Sequence, residues 1–209
     1  MKNIKAIIVS AIFTMVLPLF TSVALAQDFD QASVKVRVAE RVQLMNDYIS
    51  YMADKKNIYK TRQYYLKKTL PLFIGKGYKY ISDGVEKEGV IMQTTSTNRA
   101  GKVTTQLIRD YFSKLIDLKY SDVKITSTRA ANIKVSDLKK IGKEEDGKYI
   151  YECTCEYEQY FYGYRDGKLI YKDKTTKRIS CRIEVEETED GLETIIRLGD
   201  VEAICTENF

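Results

Sequence analysis

The residues with the clearest chemical potential are four cysteines, Cys153, Cys155, Cys181 and Cys205. A spacing of two places the side chains of Cys153 and Cys155 on one face of a strand, with their Cα atoms roughly 6.6 Å apart, near the upper limit for a disulfide. A bridge between these two neighbours is therefore disfavoured. We predict instead one cross-strand bridge, from Cys153 or Cys155 to Cys181. Four reduced thiols packed as small hydrophobic side chains are the alternative. No metal site is predicted, because the cysteines lack the paired spacing of zinc knuckles.

A second candidate is the basic segment 55–82, which has no acidic residue and interleaves Lys and Arg with tyrosines. Its candidate binding residues are Lys60, Arg62, Lys67 and Lys68. Basic side chains mixed with aromatic ones on a helix can contact an anionic polymer or lipid head groups. The alternative is that the lysines only solvate the outer face of a helix.

Tyrosine supplies the third candidate, because many of the sixteen tyrosines cluster around one predicted hairpin. Tyr160, Tyr162 and Tyr164 share a strand face with several glutamates, so they cannot all reach the core. A large ring with a polar tip suits glycan ligands and protein interfaces. Cross-strand packing is the alternative, since strands favour tyrosine in any case.

The chain contains no histidine. This excludes Ser–His and Cys–His nucleophile systems and zinc sites that use histidine. The eleven glycines are scattered rather than grouped into a phosphate-binding loop, so no nucleotide or other cofactor is predicted. Any catalysis would have to use carboxylates, tyrosine, lysine or arginine.

The first 26 residues resemble a secretory signal peptide. Lys2 and Lys5 precede an apolar run, and Ala24-Leu25-Ala26 offers a small-x-small cleavage site. The apolar run is shorter than the ~20 residues that span a bilayer, and the leader has no cysteine for lipid attachment. We expect cleavage after Ala26 and a periplasmic or secreted protein. Loss of two lysines then lowers the net charge from +5 to +3, and nucleic acid is not expected as a partner.

Removal of 26 residues from 209 leaves 183, which suits a single domain over 27–209. Helical periodicity predicts a first helix over 33–54, with Ser33 as its N-cap and these core residues: Val38, Val42, Met45, Ile49, Met52. A second helix is predicted over about 57–74, with Pro71 kinking or ending it.

Alternation over 78–95, around Asp83-Gly84 and Glu88-Gly89, predicts a short hairpin that includes Val90 and Met92. A third helix is predicted next, capped by Thr104 or Thr105. The remaining third has the period of strands, with tight turns at Asp166-Gly167 and Asp190-Gly191. All four cysteines are predicted on the buried face of this meander, and Gly199-Asp200 is predicted to form a bulge that resets the register.

This order of helix, helix, hairpin, helix and four strands resembles the nuclear transport factor two-like (NTF2-like, cystatin-like) superfamily. The resemblance covers roughly residues 33–206 and rests on element order alone. It implies an α+β fold in which three helices pack on a curved antiparallel sheet and enclose a pocket. The superfamily's isomerases and dehydratases use Asp, Tyr or His at pocket positions, and none is matched here residue by residue.

The sequence favours an exported, non-catalytic domain that binds a small molecule, a glycan or an envelope protein. One alternative is a small isomerase, dehydratase or hydrolase in which a buried carboxylate acts as base and a tyrosine polarises the substrate. A carboxylate inside the cone with a raised pKa would favour that alternative. A component of an envelope assembly is the third possibility, with the basic segment as its docking surface.

Overall fold

The computed structural model describes residues 29–82, 84–99, 101–144 and 147–209. The predicted leader, residues 1–26, and Asp83 of the predicted hairpin turn lie outside these ranges. The described chain is an α+β structure with three α-helices on a mixed sheet. None of the described helices is long and apolar enough to span a membrane.

The first predicted helix is confirmed as α1, Gln31–Ala53. The five apolar side chains predicted for its core face are all fully buried. Its N-cap is Asp30 and not Ser33, because Asp30 Oδ1 accepts hydrogen bonds from the backbone N–H groups of Ala32 and Ser33 at 3.0 and 3.2 Å. A carboxylate in this position also interacts favourably with the positive end of the helix dipole, whereas an uncharged serine hydroxyl has no net charge to do so.

The second helix, α2, is shorter than predicted and spans Tyr59–Thr69. Pro71 ends the regular α-helix because it has no N–H to donate and its ring clashes with the preceding turn. The chain continues in two 3₁₀ turns, Leu70–Leu72 and Ile74–Gly77. Gly77 has a φ of 78° and its Cα lies against Leu70, where a Cβ would come within 2.6 Å of Leu70 Cδ2. A glycine is therefore required where the chain leaves the helix.

The third helix, α3, spans Ile108–Ile116, and no described side chain caps its N-terminus. The predicted caps Thr104 and Thr105 instead lie in β4, Thr104–Leu107, which pairs with β3, Ile91–Thr94. The cap prediction was wrong because pairing with β3 holds both threonines in a strand, which β-branched residues favour. The predicted hairpin is confirmed for β1, Tyr80–Ser82, and β2, Val85–Lys87. It does not extend to Met92, because β3 pairs with β4 instead.

The last third of the chain is the predicted meander of three long antiparallel strands, β8, β9 and β10. The shorter strands β5, β6 and β7 all pair with β8, on the edge that β9 leaves open. The bounds of these six strands are Asp122–Ser127 (β5), Lys134–Val135 (β6), Lys139–Lys143 (β7), Tyr149–Arg165 (β8), Lys168–Thr188 (β9) and Gly191–Glu207 (β10).

The sheet is mixed and not purely antiparallel. Its order is β4-β3-β10-β9-β8-β5, and β3 pairs with β10 in parallel through Met92 and Val201. This parallel pair joins strands more than a hundred residues apart in sequence, and the alternation within each strand carries no information about such a partner.

Two register shifts divide β10. The predicted bulge is confirmed between Leu198 and Val201, and a second shift follows between Ala203 and Cys205. The second shift places Cys205 opposite Thr176, on the outer face of β9, and its side chain is exposed. The prediction that all four cysteines face the core was therefore wrong for Cys205, because one extra residue reverses the alternation of a strand.

Candidate functional site

A cavity of about 350 Å³ lies between α3, the β3–β4 pair and the inner faces of β8 and β9. Tyr111 and Leu115 of α3 border it on one side, and Phe161 of β8 borders it on the other. This volume falls within the range of small-molecule sites.

The inner face of β9 contributes a row of polar side chains to the cavity: Tyr171, Asp173, Thr175 and Lys177. Alternate residues of a strand share a face, so this row continues directly into the apolar residues Ile179, Cys181, Ile183 and Val185. One face of β9 is therefore polar where it borders the cavity and apolar where it packs in the core.

Asp173 is a buried carboxylate, with 5% of its surface exposed. The Tyr171 hydroxyl donates a hydrogen bond to Asp173 Oδ2. Tyr171 is itself fixed by Ser96, whose Oγ lies 2.7 Å from the phenol oxygen, and by the backbone N–H of Thr97, which donates to it at 3.2 Å. Burial raises the pKa of Asp173. The Tyr171 hydrogen bond and the charge of Lys177 act in the opposite direction, but they offset the effect of burial only partly.

Lys177 is a buried amine, with 3% of its surface exposed. Its Nζ lies 3.6 Å from the sulfur of Met92 and 5.7 Å from the centroid of the Tyr111 ring. It forms no salt bridge with any residue that the structure describes. Burial lowers the pKa of Lys177 to about 8, although the nearby charge of Asp173 acts in the opposite direction.

Gln159 of β8 adds an amide to the polar part of the wall and is held in place by Asn46 of α1. Gln159 Nε2 donates to Asn46 Oδ1 at 3.2 Å, and Asn46 Nδ2 donates to the carbonyl of Val42 at 3.1 Å. Both side chains are buried, so each needs these partners to offset its desolvation. The cavity can thus offer a ligand an amide, hydroxyls, a carboxyl group, an amine and aromatic walls.

None of these cavity residues was predicted from the sequence as a binding or catalytic residue. The signal was available, because continuing the alternation of Ile183, Cys181 and Ile179 toward the turn places Lys177, Thr175 and Asp173 on the same inner face. A charged residue at an inward position of a strand indicates either a partner or a cavity.

The predicted tyrosines lie on the opposite, outer face of β8, where Tyr160, Tyr162 and Tyr164 are half-buried. The structure brings Tyr160 and Tyr162 together around Phe209, with ring centroids 5.4 and 5.6 Å from the Phe209 ring. Tyr160 also donates a hydrogen bond to Glu158 Oε2 at 2.6 Å. Tyr164 has no contact with this cluster among the described ring pairs. Binding by this face stays a prediction.

The predicted basic residues lie on α2 but do not form one surface. Lys60, Lys67 and Lys68 are exposed. Arg62 instead turns toward α3, where its Nη1 donates to the carbonyl of Ile116 at the last turn. Lys55 Nζ donates to the same carbonyl at 2.8 Å. Arg62 therefore joins α2 to α3, and its positive charge lies at the negative end of the α3 dipole.

Three of the four cysteines form one buried cluster. The sulfurs of Cys153, Cys155 and Cys181 all lie within 4.8 Å of one another, and those of Cys155 and Cys181 are 3.9 Å apart. All are free thiols in the structure, so the predicted disulfide stays a prediction. Three thiolates could also ligate a soft metal ion. Hydrogen bonding to Cys153 and Cys155, together with burial, raises the pKa of Cys181, which therefore stays protonated at neutral pH.

A second cavity of about 430 Å³ lies near β1 and the bulge in β10. Several of its charged side chains already have partners. Arg182 forms salt bridges with Glu144 and Glu184, and Asp200 Oδ1 accepts a hydrogen bond from the backbone N–H of Ile91. We therefore take the first cavity, with its two buried titratable groups, as the candidate site.

No family model matches the chain, and no curated protein matches it. Two solved structures are similar over most of their length, each at 14% identity. The Kfla4162 protein from Kribbella flavida has a TM-score of 0.34, with 85% of this chain and 95% of that chain covered. A proposed aromatic ring hydroxylase from Novosphingobium aromaticivorans has a TM-score of 0.28, with 81% and 94% covered. Likeness at this level supports no transfer of function.

Proposed function

We propose that this chain is an exported domain of the NTF2-like type that binds a small molecule in the cavity between α3 and the sheet. Export is supported by the leader-like residues 1–26. The NTF2-like assignment is supported by the element order and by the position of the cavity between helix and sheet. The observation that carries the proposal is the pair of buried titratable side chains, Asp173 and Lys177, that border this cavity.

Burial of an amine and a carboxyl group costs free energy of folding. Packing of the core alone does not require either group. Apolar side chains at the same two positions would be buried at a lower cost in free energy, as they are further along β9. A bound ligand that contacts both groups would explain why they are placed there. The aromatic walls favour a compact ring-containing molecule with at least one polar substituent.

The test is ligand-observed NMR on the purified protein with benzyl alcohol as the probe. Leu118 lines the cavity, and Leu118→Trp should fill it. Leu192 is the matched control, because it is also half-buried against the core but does not border the cavity. We expect saturation transfer to benzyl alcohol with the wild type and Leu192→Trp, and none with Leu118→Trp. Equal transfer with all three proteins, or none with the wild type, would contradict the proposal.

A second candidate function is acid–base catalysis, and Asp173 is the observation that favours it. A buried carboxyl group with a raised pKa, oriented by a tyrosine hydroxyl, is suited to remove a proton next to a carbonyl group. Tyr171 is oriented by Ser96 and Thr97 and so holds the carboxylate in one position.

This candidate is tested by exchange of the α-protons of cyclohexanone in D₂O, followed by NMR. The catalytic candidate predicts exchange that falls at least about tenfold in Asp173→Asn, a typical share for a general base. Exchange at the uncatalysed rate with the wild type would leave the non-catalytic binding domain as the proposed function.

A further inference from the structure

We propose that Lys177 binds carbonyl compounds covalently, as an imine, so that the ligands of the cavity are aldehydes or ketones. This inference rests on the proposed function, because it requires that a small molecule enters the cavity.

The geometry sets Lys177 apart from the other lysines. Its amine borders the cavity and has a thioether and an aromatic ring as its neighbours, and no carboxylate in the described part of the chain forms a salt bridge with it. Lys174, three residues earlier on the outer face of the same strand, shows the ordinary arrangement. Its Nζ lies 3.3 Å from Glu158 Oε1 and 2.6 Å from Glu207 Oε1. Lys174 is held as a charged partner, whereas Lys177 is free to react.

The environment also provides the neutral amine that the reaction needs. With a pKa of about 8, a substantial fraction of Lys177 is unprotonated at pH 7.5. For an ordinary lysine the neutral fraction is on the order of a hundred-fold smaller. A lysine desolvated in an apolar pocket is an established type of nucleophile toward carbonyl groups.

The reaction is a condensation without oxidation or reduction. The lone pair of Lys177 Nζ attacks the carbonyl carbon, a C–N bond forms, and the carbonyl oxygen takes one proton from the amine. A second proton, from solvent or from Asp173, allows the oxygen to leave as water. The product is a C=N⁺ bond that keeps one hydrogen on nitrogen. Phe161 and Tyr171 can pack against a ring attached to the carbonyl carbon.

The experiment uses benzaldehyde as the probe and cyanoborohydride to reduce any imine to a stable benzyl amine. The protein is treated at pH 7.5, digested, and each lysine-containing peptide is followed by mass spectrometry over time. We expect Lys177 to gain a benzyl group on the order of a hundred-fold faster than surface lysines, in line with its larger neutral fraction. Excess benzyl alcohol, which cannot form an imine, should slow the labelling of Lys177 only.

Two variants provide the controls. Lys174→Met removes a lysine of the same strand and should leave the labelling of Lys177 unchanged, whereas Lys177→Met should abolish the fast phase. Binding of benzyl alcohol together with labelling of Lys177 at the rate of surface lysines would overturn the imine and leave the ligand cavity intact. Absence of binding by both benzyl alcohol and benzaldehyde would overturn the cavity function and the imine with it.

Discussion

The ring of Tyr120 lies directly against Gly163, so closely that a Cβ on Gly163 would come within 2.5 Å of Tyr120 Cε1. Gly163 is in β8, and Tyr120 borders the cavity. The absence of a side chain at Gly163 therefore sets the position of one cavity wall.

Gly163→Ala should destabilise the protein and displace Tyr120. We expect the free energy of unfolding to fall by about 1–3 kcal/mol, the usual cost of overpacking, and the affinity for benzyl alcohol to change with it. Gly142→Ala is the matched control, because a Cβ at this strand position meets no atom of the described residues within 4 Å. Urea denaturation checks both variants, and equal stability of the two would show that Tyr120 moves freely away.

Lys177→Met should stabilise the protein at pH 7. A fall of the lysine pKa from 10.5 to about 8 corresponds to a cost of about 3 kcal/mol while the unfolded state is protonated. Because the folded state binds fewer protons between pH 8 and 10.5, the stability of the wild type should rise with pH over that window. The difference between variant and wild type in urea denaturation should therefore shrink from pH 7 to pH 10.5. A constant difference would mean that Lys177 is not desolvated.

Asp173→Asn should remove a pH-dependent loss of stability. The folded-state pKa of Asp173 is raised, so the folded state holds this proton more tightly than the unfolded state. Its contribution is thus fully present below the unfolded pKa of about 3.9 and is lost as pH rises through the folded pKa. Thermal denaturation between pH 3 and 7 should show the wild type losing stability relative to Asp173→Asn. The opposite slope would indicate that the Tyr171 hydrogen bond outweighs burial.

Air oxidation should leave two free thiols in each chain. Cys181 lies directly opposite Cys153 on the neighbouring strand, while its sulfur is 3.9 Å from that of Cys155. Cα atoms of directly opposed residues are about 4.5–5.5 Å apart, which permits a disulfide. Counting thiols in the denatured protein should give two for the wild type and three for Cys181→Ala. Four in the oxidised wild type would exclude the bridge.

Reversal of Lys60, Lys67 and Lys68 to glutamate should abolish any salt-sensitive retention on vesicles with anionic lipids, because these three side chains are exposed. Arg62 is left unchanged, since its bond to the Ile116 carbonyl supports the packing of α2 on α3. Co-sedimentation at low and high salt measures the effect. Unchanged retention of the triple variant would exclude the basic segment as a docking surface.

Much of this fold follows from alternation and periodicity in the sequence. The spacing predicted the core face of α1, the three long strands, the turn at Asp166-Gly167 and the bulge at Gly199-Asp200. The turn predicted at Asp190-Gly191 lies one residue earlier, because Gly191 already pairs with Thr188. The exposure of Cys205 was not predicted, because the second bulge has no glycine to mark it. The parallel pairing of Met92 with Val201 was not predicted either, since it depends on tertiary packing.

The candidate site was missed for a different reason. Tyr171, Asp173, Thr175 and Lys177 belong to a stretch that appears polar and solvent-exposed when composition alone is considered. Only the alternation set by Ile179 and Cys181 reveals that these side chains point inward. The tyrosines that the sequence predicted as binding residues lie on the outer face of the same hairpin, where aromatic content is the more visible signal.

The division of β9 into a polar and an apolar half separates two kinds of position on one strand. The side chains at 171, 173, 175 and 177 border the cavity, while those at 179, 181, 183 and 185 pack in the hydrophobic core. Under the proposed function, the ligand preference of the cavity can therefore be redesigned on this strand without substituting the core.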